Sequence, residues 1–220
     1  TYQHHFVDTD FFKDEKKFNN CTVGWCGDLK NPFKRAHLLE KLKHPIKLKS
    51  DFKKSKEENV LQQDMPDYYN NIDILIILSE SEGTPMPLLE ALSCGKVVIS
   101  TNVGIASEIL HPFYIINSEN EEEIVKQVNA KISHLKKHAN QIKKLGKYYR
   151  KIIKKKYDWK RNVNKLDDIY RNLYTKNIKA QKFYSPEPNH AFLEKLSEYI
   201  PIEYETDLNK IKEISYPVIL

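Results

Sequence analysis

The stretch SESEGTPMPLLEALSCGKVVISTNVG, Ser79–Gly104, decides the fold. It follows Ile72-Asp73-Ile74-Leu75-Ile76-Ile77-Leu78, a run that is apolar almost throughout and rich in β-branched residues. Such a run reads as a strand buried on both faces, and so as part of a parallel sheet. Acids, a glycine and two prolines come next, then Leu88-Leu89-Glu90-Ala91-Leu92, with Gly95 as a stop. The order is strand, loop, short helix. Pro87 suits the first helical position, where its missing N–H has no partner and its φ is already helical. Val97-Val98-Ile99 then begins another buried strand. A loop at the carboxyl end of a parallel strand, feeding a helix N-terminus, is where such sheets bind ligands, anions in particular. Glu82 lies in that loop and Glu90 in the helix, and hydroxyl groups are the partners their carboxylates suit.

The same alternation extends to both sides. Cys21–Cys26 reads as the first strand, Gly27–Asn31 as a loop, and Pro32 as the opening of a helix with Leu38, Leu39 and Leu42 on its inner face. Lys34 and Arg35 stand near that helix start. Basic residues are unfavourable there unless something negative lies close by; a Lys34 that is merely solvated is the alternative. Pro45–Lys49 reads as a short strand near an edge because of its lysines, Asp51–Glu58 as a charged loop or helix, Asn59-Val60-Leu61 as a brief strand, and Asp64–Asn71 as a Pro-initiated helical turn. Thr101–Ser107 is a second polar loop, Glu108-Ile109-Leu110 a turn, and Phe113-Tyr114-Ile115-Ile116 the last strand of the sheet. Strand and helix alternate throughout, which predicts a doubly wound, Rossmann-like α/β domain with a parallel sheet.

From Glu121 the period becomes helical: Ile124, Val128, Ile132 and Leu135, then Ile142, Leu145 and Tyr149, then Val163, Leu166, Ile169 and Tyr170. Lysine crowds the region from Lys136 to Arg161. That basic face reads as solvated, as a contact for an anionic membrane surface, or, least favoured, as a nucleic-acid contact. Ser185-Pro186-Glu187-Pro188 breaks the composition; Ala191–Leu196 and Asp207–Ile214 read as short helices and Tyr216–Leu220 as the start of a strand. The expected organisation is a linker over residues 1–20, the α/β domain over 21–175, and an extension or the start of a further domain over 176–220. A chain that opens on Thr1 and closes on an apolar run reads as a piece of something longer.

Composition narrows the class. Of 220 residues 30% are charged, the net charge is +6, and no apolar run is long enough to span a bilayer. Cys21, Cys26 and Cys94 are odd in number and lack zinc-type pairing, so free thiols in a reducing, cytoplasmic setting are expected, with a peripheral place at a membrane surface as the variant the lysines suggest. His4, His5 and Asp8 have no further ligand at a recognised spacing and read as a solvated linker before a metal site. Phosphate-binding P-loops, dinucleotide glycine fingerprints and nucleophile elbows are missing from the sequence.

Glu82-Gly83-Thr84-Pro85-Met86-Pro87-Leu88-Leu89-Glu90 resembles the Glu-x7-Glu motif of the family 4 (group 1) glycosyltransferases, retaining enzymes of GT-B architecture. Other segments resemble that family too: Val7–Phe12 its linker into the C-terminal domain, Val23-Gly24 the opening strand, Thr101–Gly104 the loop after the next strand, and Tyr157-Asp158-Trp159 the start of the last helix. The resemblance covers about Val7 to Tyr174. It implies a metal-independent hexosyltransferase that uses no cofactor and takes a nucleotide-sugar, UDP- or GDP-linked, as donor. This chain would be the donor-binding half, with the N-terminal acceptor domain outside it and a glycan, lipid or protein as acceptor. It further implies that Glu82 bonds the donor sugar's hydroxyls and Glu90 the ribose. Gly27, Gly83, Pro85, Pro87 and the backbone around Thr84, Met86 and Leu88 would lie at the sugar or diphosphate, while Lys34 would neutralise the departing diphosphate. Asp28 stands where many members have Arg, and Arg35 where Gly is usual.

Two other functions fit parts of the sequence. A non-catalytic domain of the same fold that scaffolds a partner is favoured by Asp28 and opposed by the intact Glu82 and Glu90. A basic polyanion- or membrane-binding module is favoured by Lys143–Arg161.

Overall fold

Five short apolar strands pair in parallel: β1 (Val23–Trp25), β2 (Ile46–Leu48), β3 (Ile74–Ile77), β4 (Val97–Thr101) and β5 (Ile115–Ile116), in the spatial order β2-β1-β3-β4-β5. The computed structural model describes residues 5–15, 20–49, 62–165, 168, 182–184 and 203–205. Chain order reverses between β1 and β3, because β2 is added on one side and β4 and β5 on the other. A doubly wound sheet opens a crevice at such a reversal, beyond the carboxyl ends of the strands.

The helices α1 (Met65–Asn70), α2 (Met86–Ser93), α3 (Ala106–Ile109), α4 (Glu121–Lys137) and α5 (Ala139–Lys156) cover both faces. The unbroken apolar run of β3 follows from this. Leu75 and Ile77 point to a core that includes Tyr68, Tyr69, Leu88, Leu92, Tyr149 and Ile153. Ile74, Ile76 and Leu78 point to the other, with Ile124, Val128, Ile132 and Leu135 of α4. Asn120 caps α4, its side chain accepting from the Glu123 N–H at 3.0 Å, and Glu121, Glu122 and Glu123 complement the dipole of its first turn.

Local structure differs from the sequence reading at several points. The helix expected after β1 is two 3-10 turns, Pro32–Lys34 and Ala36–Lys41, divided at Arg35, whose φ of 49° is left-handed. Leu38 is fully buried there, while Leu39 and Leu42 are only half-buried. The strand expected over Phe113–Ile116 shortens to β5, because Pro112 starts a 3-10 turn that runs to Tyr114. The turn at Glu108 is part of the one-turn helix α3. Val163, assigned to an inner face, is exposed on a helical segment over 159–165. The expectations for residues 51–61 and 185–202, for the side chains of Leu166, Ile169 and Tyr170, and for 207–220 lie outside the described residues.

Residues 5–15, read as a connector, are packed into the domain. Val7 and Phe12 are 3% exposed. The Val7 N–H donates to Tyr157 O at 2.9 Å, the Trp159 N–H returns to Val7 O at 3.1 Å, and Thr9 Oγ1 donates to Asp158. Arg150 on α5 then donates to Phe12 O and Ser93 O, tying this segment to the end of α2. The chain divides into two compact units, Thr1–Asn164 and Lys165–Leu220; in the second, Lys182–Tyr184 (β6) and Glu203–Glu205 (β7) pair in parallel. Among the described residues no helix is long and apolar enough to cross a membrane. Cys21, Cys26 and Cys94 are free thiols.

Candidate functional site

Two loops meet at the crevice between β1 and β3. After β1, Gly27 leads into a turn in which Asp28 Oδ1 accepts from the Lys30 N–H at 2.9 Å, and Asn31 Oδ1 accepts from the Phe33 N–H at 3.0 Å to start the first 3-10 turn. Asp28, noted in the sequence for standing where Arg is usual, is exposed and forms a turn. After β3, the Glu80 N–H donates to Phe33 O at 2.8 Å, which stitches the second loop to the first.

That stitch brings Lys34 against Glu82. Their side chains form an ion pair, 27% and 16% exposed. Ser79 Oγ donates to the same Glu82 oxygen at 2.8 Å, and Thr101 Oγ1, from the end of β4, donates to Ser79 O at 2.6 Å. Glu82 is thus oriented from three strands. Arg35 turns instead to Glu80, 3.7 Å away. Beside this group a cleft of about 700 Å³ opens over the ends of β3, β4 and β5, lined by Arg35, Ser79, Glu80, Thr101, Asn102 and Asn117 among others; Lys34, Glu82 and Glu90 do not line it.

The second carboxylate sits deeper. Helix α2 begins at Met86, one residue before the Pro87 start expected from sequence, with Pro85 as its N-cap. Pro85 and Pro87 carry no N–H, and that of Leu88 donates to Pro85 O at 2.8 Å, so among the described residues Thr84 and Met86 have the amides that no hydrogen bond takes up at the start of α2. One turn on, Glu90 is 8% exposed and Tyr69 OH donates to its Oε2 at 2.6 Å. Burial raises the Glu90 pKa above the ordinary carboxylate value, and the hydrogen bond from Tyr69 opposes that rise. Cys26 Sγ lies 3.6 Å from Tyr69 OH, and burial pushes its thiol up to about 12, which keeps it protonated. Among the described residues the other oxygen of Glu90 has no hydrogen-bond partner. A half-satisfied buried carboxylate is costly to keep, and such groups mark functional sites.

Gly83 is bare: a Cβ there would meet nothing within 4 Å. Gly104 is different. Its φ is +50°, and a Cβ on it would overlap Gly83 O. The loop after β4 therefore supports the Glu82 loop by direct backbone packing. Gly104→Ala is expected to lower stability by on the order of 2–4 kcal/mol, because a left-handed φ and a backbone overlap add; a thermal melt checks this, and an unchanged melting temperature would contradict it.

The structure thus joins Lys34 with Glu82 and places Glu90 on the adjoining helix. Sequence reading missed Ser79 and Tyr69. The position of Ser79, first polar residue after the apolar run, was a usable signal; nothing local distinguished Tyr69 from Tyr68. Among the described residues no three His, Cys, Asp or Glu side chains gather as a metal site.

Residues 13–159 match the family model described as Glycosyl transferases group 1. Among curated protein sequences none matches the chain significantly. Similar solved structures include a sucrose-phosphate synthase from Thermosynechococcus elongatus, with a TM-score of 0.63 at 12% identity over 79% of this chain and 52% of that one. HepE from Anabaena in complex with UDP-glucose gives 0.58 at 17% identity, over 77% and 56%. The C-terminal domain of a group 1 glycosyl transferase family protein from Francisella tularensis gives 0.52 at 18% identity, over 69% and 98%. The chain spans about half the length of the first two. At these identities the likeness is one of fold.

Proposed function

The chain belongs to the group 1 glycosyl transferases, and from that membership we propose that it is the donor-binding half of a retaining, metal-independent glycosyltransferase that transfers a hexosyl group from a nucleotide-sugar to a glycan, lipid or protein acceptor. The observation that carries the reading is the Lys34–Glu82 pair at the sheet's switch point, held by Ser79 and placed beside the helix that bears Glu90. Coverage of nearly all of a group 1 C-terminal domain supports the assignment to one half of the architecture, and HepE in complex with UDP-glucose supports a nucleotide-sugar as ligand.

Each residue then has a role that its chemistry suits. The diphosphate of the donor competes with Glu82 for the Lys34 ammonium, because its two negative charges outweigh that of a single carboxylate. Glu82, released from Lys34 but still held by Ser79, accepts hydrogen bonds from the donor sugar's hydroxyls. Thr84 and Met86 donate backbone N–H bonds to sugar or phosphate at the mouth of α2. The free oxygen of Glu90 accepts from the ribose, while Tyr69 fixes the carboxylate plane. When the bond from C1 to the diphosphate breaks, its electron pair goes to the diphosphate oxygen, where Lys34 opposes the growing charge. The acceptor hydroxyl supplies the oxygen that bonds C1, and its proton passes to the departing diphosphate oxygen.

The test is incubation of the full-length protein with UDP-, GDP- and ADP-hexoses, following release of nucleoside diphosphate and the anomeric configuration of the product. Release that depends on Glu82, with the configuration kept, is the expected result; no release from any donor would contradict the reading.

A further inference from the structure

We propose that the outer face of α5 is a docking surface for an anionic lipid bilayer. The helix carries Lys143, Lys144, Lys147, Lys151, Lys154, Lys155 and Lys156 and contains no acidic residue. Its inner face is fully engaged. Ile142, Gly146, Tyr149 and Ile153 are buried, and Gly146 lies so close to Gly95 O that a Cβ would overlap it. Tyr149 OH accepts from the His111 N–H at 3.0 Å, and Arg150 is taken up by Phe12 O and Ser93 O.

The outward lysines take no part in this packing. Lys143, Lys144, Lys147, Lys151 and Lys155 are exposed and, among the described residues, form no ion pair. Some basic side chains elsewhere on the surface are matched, Lys41 with Glu121, Lys126 with Glu123 and Lys160 with Asp10. Among the described residues these five lysines thus carry charge that no carboxylate pairs with, and that charge is ordered. At about 100° per residue Lys144, Lys147, Lys151 and Lys155 fall on one side of the helix, with Tyr148 at the margin, 60% exposed.

Beyond Tyr148 the surface changes from basic to apolar. A cleft of about 570 Å³ is lined there by Leu110, Phe113, His134, Leu145 and Tyr148, and Phe113 is 41% exposed. Lysines beside exposed aromatic rings and an apolar recess match the layering of a bilayer surface, with phosphates outermost and acyl chains below. A nucleic acid fits this surface less well. Its bases stack on open aromatic faces, whereas the Lys131 ammonium already sits 5.0 Å from the Phe113 ring centre and Tyr148 packs edge-on against Tyr149. The surface does not depend on the donor-site reading.

Co-sedimentation of the full-length protein with vesicles tests it. Binding is expected to vesicles containing phosphatidylglycerol, not to phosphatidylcholine alone, and to fall with added salt. Each lysine neutralised should lower partitioning about fivefold. Lys144→Gln, Lys147→Gln, Lys151→Gln and Lys155→Gln combined should therefore abolish sedimentation while the melting temperature and any donor binding stay unchanged. Tyr148→Ser, tested separately, should weaken the binding that survives in high salt. The proposal is overturned if the wild-type protein does not sediment, if it sediments equally with neutral vesicles, or if the lysine variant binds as well as wild type. It is equally overturned if duplex DNA competes fully with the vesicles and Tyr148→Ser changes nothing, since the face would then be a general polyanion contact.

Discussion

Lys34→Ala is expected to lower sugar transfer by the full-length protein by about 10²–10³-fold, the usual effect of removing one group that opposes charge developing in the transition state. The fall should appear mainly in kcat, because the charge on the departing diphosphate grows as the bond breaks, while KM changes less. Stability should hardly respond. The pair is partly solvated and Glu82 keeps its bond from Ser79, so the loss should stay below about 1 kcal/mol. Steady-state kinetics and a melt separate the two effects. A variant with wild-type kcat and a lowered melting temperature would make the ion pair structural, and the role given to Lys34 would be withdrawn.

Glu90→Gln is expected to do two opposite things: stabilise the fold and weaken the donor. Burial raises the Glu90 pKa above its value in the unfolded chain, so folding disfavours the charged form. Above the unfolded value the carboxylate therefore costs stability; as pH falls through the raised folded value toward the unfolded one Glu90 takes up a proton and the cost disappears. Glutamine has no charge to desolvate and can still accept from Tyr69. Its melting temperature should exceed wild type at neutral pH, with the gap closing in acid. Donor affinity should drop about 10- to 100-fold, since hydrogen bonds between the ribose hydroxyls and a charged acceptor are lost. Tyr69→Phe should act through the same carboxylate. Without the hydroxyl that opposes the pKa rise, the pH below which donor binding fails should move upward. Equal melting and equal donor affinity for wild type and Glu90→Gln would show that this carboxylate neither strains the fold nor meets the ligand.

Much of the fold was legible because burial on both faces leaves a direct trace: Ile74–Ile77 is apolar at every position, so a parallel, covered strand was the reading that explained it. Gly95, with φ +71°, marked the end of α2 for the same kind of reason, a backbone conformation that side chains disfavour. What was not legible depended on distant partners. Val7 and Phe12 lie in an aperiodic segment and are buried because Tyr157, Asp158, Trp159 and Arg150 receive them. The break at Arg35 is invisible in composition, and its one trace is that a glycine is usual at this position in the family the sequence resembles. At the site, the spacing of Glu82 and Glu90 was readable, yet their partners were not. Lys34 meets Glu82 only because the loops after β1 and β3 are neighbours at the switch point, and Tyr69 reaches Glu90 only because α1 packs on α2.

The donor-site assignment is tested most directly by calorimetric titration of the full-length protein with UDP-, GDP- and ADP-sugars, beside Glu90→Ala. One of these donors should bind, its free diphosphate more weakly, and Glu90→Ala should lose most of the affinity for either. No binding by any donor, or binding that Glu90→Ala leaves unchanged, would contradict it.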